Sequence, residues 1–274
     1  MIKAHILGCA AALPLIDRGC AGVALQVDDA LYLFDAGAGV ATRLMDPSIR
    51  RQYGVPKEDG TFGHDLDPYA LQGIFVSHAH VDHIGDLTDL LSMLRLFAKR
   101  DTLFRFPDGD LLRVFLPVSV IGPFQTWLRA TGVEQKLRYR LELTPIDAGL
   151  LYEDRQVTVE AVPSDHLGPT EPGTTCEAFS FRVQCGNRTV VYTGDLTLDN
   201  LRALLGPVDL LIAECAHLKF DDILRALRDT PPAQTVITHL SPALYGDVDR
   251  LQAELEAALG ENAWIAHDGL TVDV

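Results

Sequence analysis

Short apolar runs of strand character break up the chain from its first residues, and helical spacing takes over between them. "KAHILG" (3–8), "AGVALQVD" (21–28) and "ALYLFDAG" (30–37) read as successive strands, with "VDD" (27–29) as the turn between the last two. "GVATRLM" reads as a short helix. Residues 46–69 are then polar, rich in Gly, Pro and Asp, and without period, as in an insertion or lid. "LQGIFVS" (71–77) is an apolar strand, beyond which Leu87, Leu90, Leu91, Leu94 and Phe97 recur at helical spacing. Strands "RVFLP" (113–117), "RLELTPI" (140–146), "QVTVEAVPS" (156–164), "AFSFRVQ" (178–184) and "RTVVYTG" (188–194) follow, with "GPFQTWLRATG" as a helix among them. The last quarter reads strand "VDLLIAE", helix "FDDILRALRD", strand "QTVITHL", helix "DVDRLQAELEAALG" and strand "NAWIAH". Strand and helix mix throughout, with neither repeats nor a low-complexity linker. This predicts one αββα or α/β sandwich domain over 1–274, with insertions near 46–70 and 99–113.

Composition narrows the class. Apolar residues make up 47% of the 274 and are spread evenly; no run reaches the roughly 18 apolar residues of a membrane span. The start, "MIKAHILGCAAALPLIDRG", has one Lys before a short apolar stretch that soon acquires Asp17 and Arg18, so a soluble chain without a signal peptide or membrane partner is expected. Cys9, Cys20, Cys176, Cys185 and Cys215 are odd in number, scattered and free of any CxxC pair. Neither a disulfide framework nor a zinc knuckle is suggested, and a reducing cytoplasm is the simplest setting. The net charge of −15 repels polyanions, and no Lys/Arg block could track a phosphate backbone. Long nucleic acid is a poor first guess, although bound metal ions would reverse the sign locally.

The chemistry begins at "VSHAHVDHIGDL" (76–87). His78 and His80 project to the same side of an extended segment because side chains alternate there. Asp82 and His83 fall at the turn into a helix and can point back to the same cavity. Such a layout can serve two metal ions, one pair of side chains for each, and imidazole with carboxylate suits zinc, manganese or iron. Thiols are absent from the cluster, which favours open, catalytic coordination over a closed structural site. A solvated histidine-rich loop is the competing reading.

With this motif the sequence resembles the metallo-β-lactamase-fold hydrolases, whose signature is HxHxDH after a strand. The resemblance implies a four-layer αββα sandwich and later ligands in the order His, Asp, His. His166 in "VPSDHLGP", Asp195 in "VVYTGDLT" and His239 in "VITHLSP" are the candidates. His78, His80 and His166 would then hold one ion, Asp82, His83 and His239 the other, and Asp195 would bridge them. The implied cofactors are two divalent ions, zinc first, with manganese or iron as alternatives, able to activate a water. Plain alternatives stand beside each residue. Asp195 could be a helix N-cap for "LTLDNLRALL", and His166 a loop histidine. Asp35 and Glu214 could orient imidazoles or merely accept backbone N–H bonds at strand ends. His5, His64 and His217 lack a comparable frame. His267 in "IAHDGL" could face substrate or be a surface histidine.

"LLIAEC" and "VITHLSP", with "LGCAAALP" and "LFDAGAG", resemble ribonuclease Z and related phosphodiesterases, which have "EAT" and "THFS" in the first two places. Lactonases, glyoxalase II enzymes and lactamases usually carry a "TPGHT"-like stretch where this chain has "VPSDHLGP". The implied reaction is phosphodiester hydrolysis, with Asp82, Glu214, His217 and His267 as candidate catalytic residues. Two departures bear on the substrate. Ribonuclease Z has a histidine just before the Glu that matches Glu214, where this chain has Ala213; His217 is a candidate substitute. That family also has a tRNA-binding arm, whereas "FRVQCGNRTVVYTGD" passes from strand to strand by a tight turn. Together with the charge of −15, these departures point to a small or cyclic phosphodiester. Lys99, Arg100, Arg105 and Arg113 with Phe104 and Phe106 form either a phosphate-and-base contact zone or a solvated loop. Three other readings stay open: an ester, thioester or lactone hydrolase, a tRNA 3′-processing endonuclease, and a non-catalytic metal or ligand sensor. Relatives are often dimers, which makes a homodimer a further expectation.

Overall fold

The computed structural model describes residues 1–56, 66–97, 111–168 and 176–274. The first of two seven-stranded sheets contains β1 (Ile2–Gly8), β2 (Gly22–Val27), β3 (Ala30–Phe34), β4 (Leu71–Phe75), β5 (Leu111–Leu116) and β6 (Arg140–Pro145) in chain order, with β14 (Thr271–Asp273) outside β1. The second contains β7 (Gly149–Glu153), β8 (Thr158–Pro163), β9 (Phe179–Cys185), β10 (Arg188–Tyr192), β11 (Leu210–Cys215), β12 (Gln234–Leu240) and β13 (Ala263–Ile265), again in chain order. Both sheets are mixed. β3 to β6 pair in parallel in one, β10 to β13 in the other, and the remaining pairs are antiparallel.

Parallel neighbours need crossovers, and the helices supply them. α1 (Val40–Tyr53), the one-turn α2 (Val81–Ile84), α3 (Leu87–Phe97) and α4 (Val118–Ala130) link strands of the first sheet. α5 (Leu198–Leu204), α6 (Phe220–Asp229) and α7 (Val248–Leu259) do so in the second. Three apolar clusters define four layers. Phe34, Phe75, Phe115, Phe179 and Phe181 meet between the sheets. Leu44, Leu90, Leu94 and Phe124 pack helices on the outer face of the first sheet, and Leu201, Ile223, Leu227 and Leu255 do so on the second. This is the four-layer αββα sandwich that the resemblance implies, one of the two architectures that the alternation of elements allows. Among the described residues no helix is long and apolar enough to cross a membrane.

Three local differences have physical causes. α1 does not stop at Met45 but runs through Pro47 to Tyr53. A proline inside a helix removes one hydrogen bond, but Leu44, Met45, Pro47 and Ser48 are buried there and Arg50 Nε lies 2.8 Å from Asp46 Oδ2. The far end of the stretch expected as a lid is also core, since Leu66, Tyr69 and Ala70 are buried; residues 57–65 lie outside the described residues. Of the expected cationic insertion, Lys99, Arg100, Phe104, Arg105 and Phe106 lie outside them too. Arg113 belongs to β5, where its Nε is 3.6 Å from Glu142 Oε2.

Candidate metal centre

The seven expected ligands all sit at or just beyond strand ends. His78, His80, Asp82 and His83 follow β4, His166 follows β8, Asp195 follows β10, and His239 is the penultimate residue of β12. The chain is shaped to bring these ends together. Gly194 has φ 53°, and a Cβ there would come within 2.8 Å of Ser77 Cβ, so only glycine lets the two ligand loops approach. Ser164 joins two further loops: its hydroxyl accepts from His166 N–H at 3.2 Å and donates to the Asp195 carbonyl at 2.7 Å. His239 occupies a β-bulge, where the β11 to β12 register shifts, and its φ of 49° is left-handed. Such a conformation is costly for a non-glycine residue and gathers at functional sites.

Asp195 is the centre of the cluster. Its Oδ2 faces His78 Nε2 at 3.5 Å and His166 Nε2 at 3.6 Å, while Oδ1 faces His83 Nε2 at 3.3 Å and His239 Nδ1 at 3.4 Å. His80 Nδ1 lies 3.3 Å from His166 Nε2. On the other side Asp82 Oδ2 lies 3.2 Å from His239 Nε2, which is 3.1 Å from His83 Nε2. The expected ligands fall into two donor groups, His78–His80–His166–Asp195 and Asp82–His83–His239, each with its ligand atoms within 4.8 Å of one another, and Asp195 and His239 form a third with Glu214 and His217. A helix cap is not the role of Asp195, because Thr197 caps α5 through a capping box with Asn200.

The resemblance implies divalent metal ions, and the donor atoms fit them. His78 Nε2, His239 Nδ1 and both carboxylate oxygens of Asp195 are buried without a hydrogen-bond partner. Unpaired buried polar atoms are costly, and four of them converging on one volume are what shared cations would satisfy. The electrostatics agree. Burial, helped by neighbouring His83, pushes His78 down to about 2, which leaves it a neutral lone-pair donor. Burial alone would raise Asp82, but the His239 hydrogen bond and the charges of His83 and His239 bring it to about 2. For Asp195 the surrounding imidazoles likewise outweigh burial and hold the carboxyl well below its ordinary range.

Behind the ligands, Asp35 lies 2.7 Å from His83 Nδ1, and Glu214 accepts from the backbone of Ala216 and His217 at 2.6 and 3.0 Å. His217 joins the site. Its Nδ1 is 3.5 Å from both Asp195 Oδ2 and Glu214 Oε2, and its side chain is 42% exposed, so it borders open solvent. The Glu214 contact raises its pKa above the usual histidine value. His267 is not in these clusters; it is exposed, with Nδ1 3.0 Å from the carbonyl of Asp268. His5 bonds Thr271 and Gln26 along β1, and His64 lies outside the described residues.

The family model described as "Beta-lactamase superfamily domain" matches residues 32–240. The chain belongs to this superfamily. Within it, the chain is 30% identical over 167 residues to a ribonuclease Z of Geobacillus kaustophilus, across 60% of this chain and 45% of that one. It is 25% identical to the probable metallo-hydrolase YhfI of Bacillus subtilis over 98% of both chains. The alignments thus span about half the length of several ribonucleases Z and nearly all of YhfI. The solved structure of human tRNase Z, short form, shares the fold with TM-score 0.71 at 20% identity, covering 99% of each chain.

Sequence patterns did not single out Ser77, Tyr192 or Asp268. Tyr192 contacts Asp35 rather than a ligand position, Ser77 contacts Asp35 together with His78 and His83, and Asp268 accepts from Cys9 N–H at 3.0 Å at the opposite end of the chain. Ser77 carried the only local signal, its place immediately before His78.

Proposed function

We propose that this superfamily member is a binuclear metal-dependent hydrolase of small phosphodiesters. One observation supports it above the rest: the two oxygens of Asp195 face different histidine pairs, as a carboxylate shared between two cations must. His78, His80 and His166 would hold one ion, Asp82, His83 and His239 the other. When bound, two divalent cations would supply Lewis acidity to the substrate oxygens and lower the pKa of a water towards neutrality.

The remaining work falls to the chain's own residues. Glu214, buried and fixed by two backbone N–H groups, holds the Nδ1 side of His217. That leaves Nε2 to carry a proton to the departing oxygen, as the histidine missing at Ala213 would otherwise do. A small substrate of low charge suits a chain of net charge −15 better than a polyanion does.

The purified protein is expected to carry two metal ions per chain and to hydrolyse bis(p-nitrophenyl) phosphate, losing activity with chelator. Metal-replete protein inert on every phosphodiester overturns the reading. The names of the ribonuclease Z relatives favour a second one, cleavage of an RNA phosphodiester by the same residues. Precursor tRNA in the same assay separates the two, and a lactone and thioester panel tests acyl transfer.

A further inference from the structure

Behind the ligands, the carboxylate of Asp35 has no solvent exposure and gathers four donors. Oδ1 accepts from Ser77 N–H at 2.6 Å. Oδ2 lies 2.8 Å from Ser77 Oγ, 2.7 Å from His83 Nδ1 and 2.7 Å from the phenol oxygen of Tyr192. Ser77 and His83 come from the loop after β4 in the first sheet. Tyr192 ends β10 and reaches across from the second. We propose that Tyr192 is a positioning residue: its hydroxyl, through Asp35, fixes the orientation and tautomer of His83 and so strengthens cation binding by Asp82, His83 and His239. The proposal rests on reading that trio as metal ligands.

Three donors on one carboxylate oxygen leave the group little freedom to turn. With His83 Nδ1–H donating to the Asp35 carboxylate at 2.7 Å, Nε2 is the ring nitrogen left for a cation, 3.3 Å from Asp195 Oδ1. Outer carboxylates hold metal-binding imidazoles in just this way, and removing them costs roughly 10–100-fold in affinity. Burial and the charge of Asp35 raise the phenol's pKa well above its ordinary value, so it stays a donor. His78 is one link further from Tyr192, since its Nδ1 lies 3.0 Å from Ser77 Oγ and reaches Asp35 only through Ser77. Loss of the Tyr192 hydroxyl therefore acts more strongly on the His83 side of the centre. The ring itself packs 6.0 Å from Phe34, centroid to centroid, so phenylalanine preserves the core.

The test titrates metal-free wild type and Tyr192→Phe with cobalt(II) against a competing chelator, following visible absorption. Two equivalents are expected in wild type. In Tyr192→Phe one should bind nearly as before and the other about tenfold more weakly, with the spectrum altered mainly for that equivalent. Unchanged binding of both, or equal weakening of both, overturns the positioning role. In zinc-loaded wild-type protein the imidazole nitrogen-15 shifts should place the His83 proton on Nδ1, and a proton on Nε2 there overturns it independently of any variant. Wild type that binds no cobalt would sink the binuclear reading as well, whereas normal wild type with a silent Tyr192→Phe removes only Tyr192.

Discussion

A Cβ on Gly37 would overlap the carbonyl oxygen of Asp82. The glycine of "LFDAGAG" therefore lets the ligand loop lie directly against the chain leaving β3, where Ala36 N–H donates to the His83 carbonyl at 2.7 Å. Gly37→Ala is expected to destabilise the fold by about 1–3 kcal/mol, the usual cost of overpacking, and to lower bound metal by displacing Asp82. Calorimetry and metal analysis on the same sample check it; wild-type metal content would show that the loop yields without consequence.

Asp195→Asn keeps the shape of the side chain but removes the charge that both histidine pairs face. Hydrolysis of bis(p-nitrophenyl) phosphate should fall roughly a thousandfold, about 4 kcal/mol of barrier, with less than two metals retained. Steady-state kinetics at fixed free metal give the answer, and near-normal turnover would remove Asp195 from the centre.

His217→Ala separates a proton donor from a ligand. As a donor its loss should lower kcat by about 10²–10⁴ while metal stoichiometry stays as in wild type. The fall should be smaller for substrates whose leaving group departs without a proton. A drop in stoichiometry would instead place His217 with Asp195, Glu214 and His239, four residues whose ligand atoms lie within 4.8 Å of one another, as a metal group.

Asp268 stabilises the fold from outside the centre. Its carboxylate accepts from the backbone of Cys9 and Gly19 and lies 2.8 Å from Arg43 Nε, with only 2% of its side chain exposed. Asp268→Ala removes the carboxylate facing a buried guanidinium, at a cost of about 3–5 kcal/mol. At 2–4 °C per kcal/mol for chains near this size, Tm should fall by roughly 10 °C. Differential scanning calorimetry measures it; a shift below about 2 °C would mean the pair is worth no more than a surface one.

The strand and helix order was legible because buried parallel strands leave apolar runs that survive in one dimension, as "LQGIFVS" and "VDLLIAE" do. The seven donors were legible for a related reason: His78, His166, Asp195 and His239 stand at or near the ends of apolar strands, and His80, Asp82 and His83 follow within five residues of His78. What escaped needed the third dimension. β14 is three residues long, too short for a pattern. The length of α1 is decided by the burial of Leu44, Met45 and Pro47, which overrides the propensity of one proline. Tyr192 looks like any inward-facing strand aromatic until the first sheet brings Asp35 within 2.7 Å of its hydroxyl.

The halves of the sandwich share the centre unevenly: four of the expected donors come from the first sheet's loop, three from the loops and strand end of the second. Neither sheet alone carries both partners of Asp195's two oxygens. A molecule whose sheets have not closed on each other holds only part of the donor set, so its capacity for metal would report on assembly as well as on chemistry.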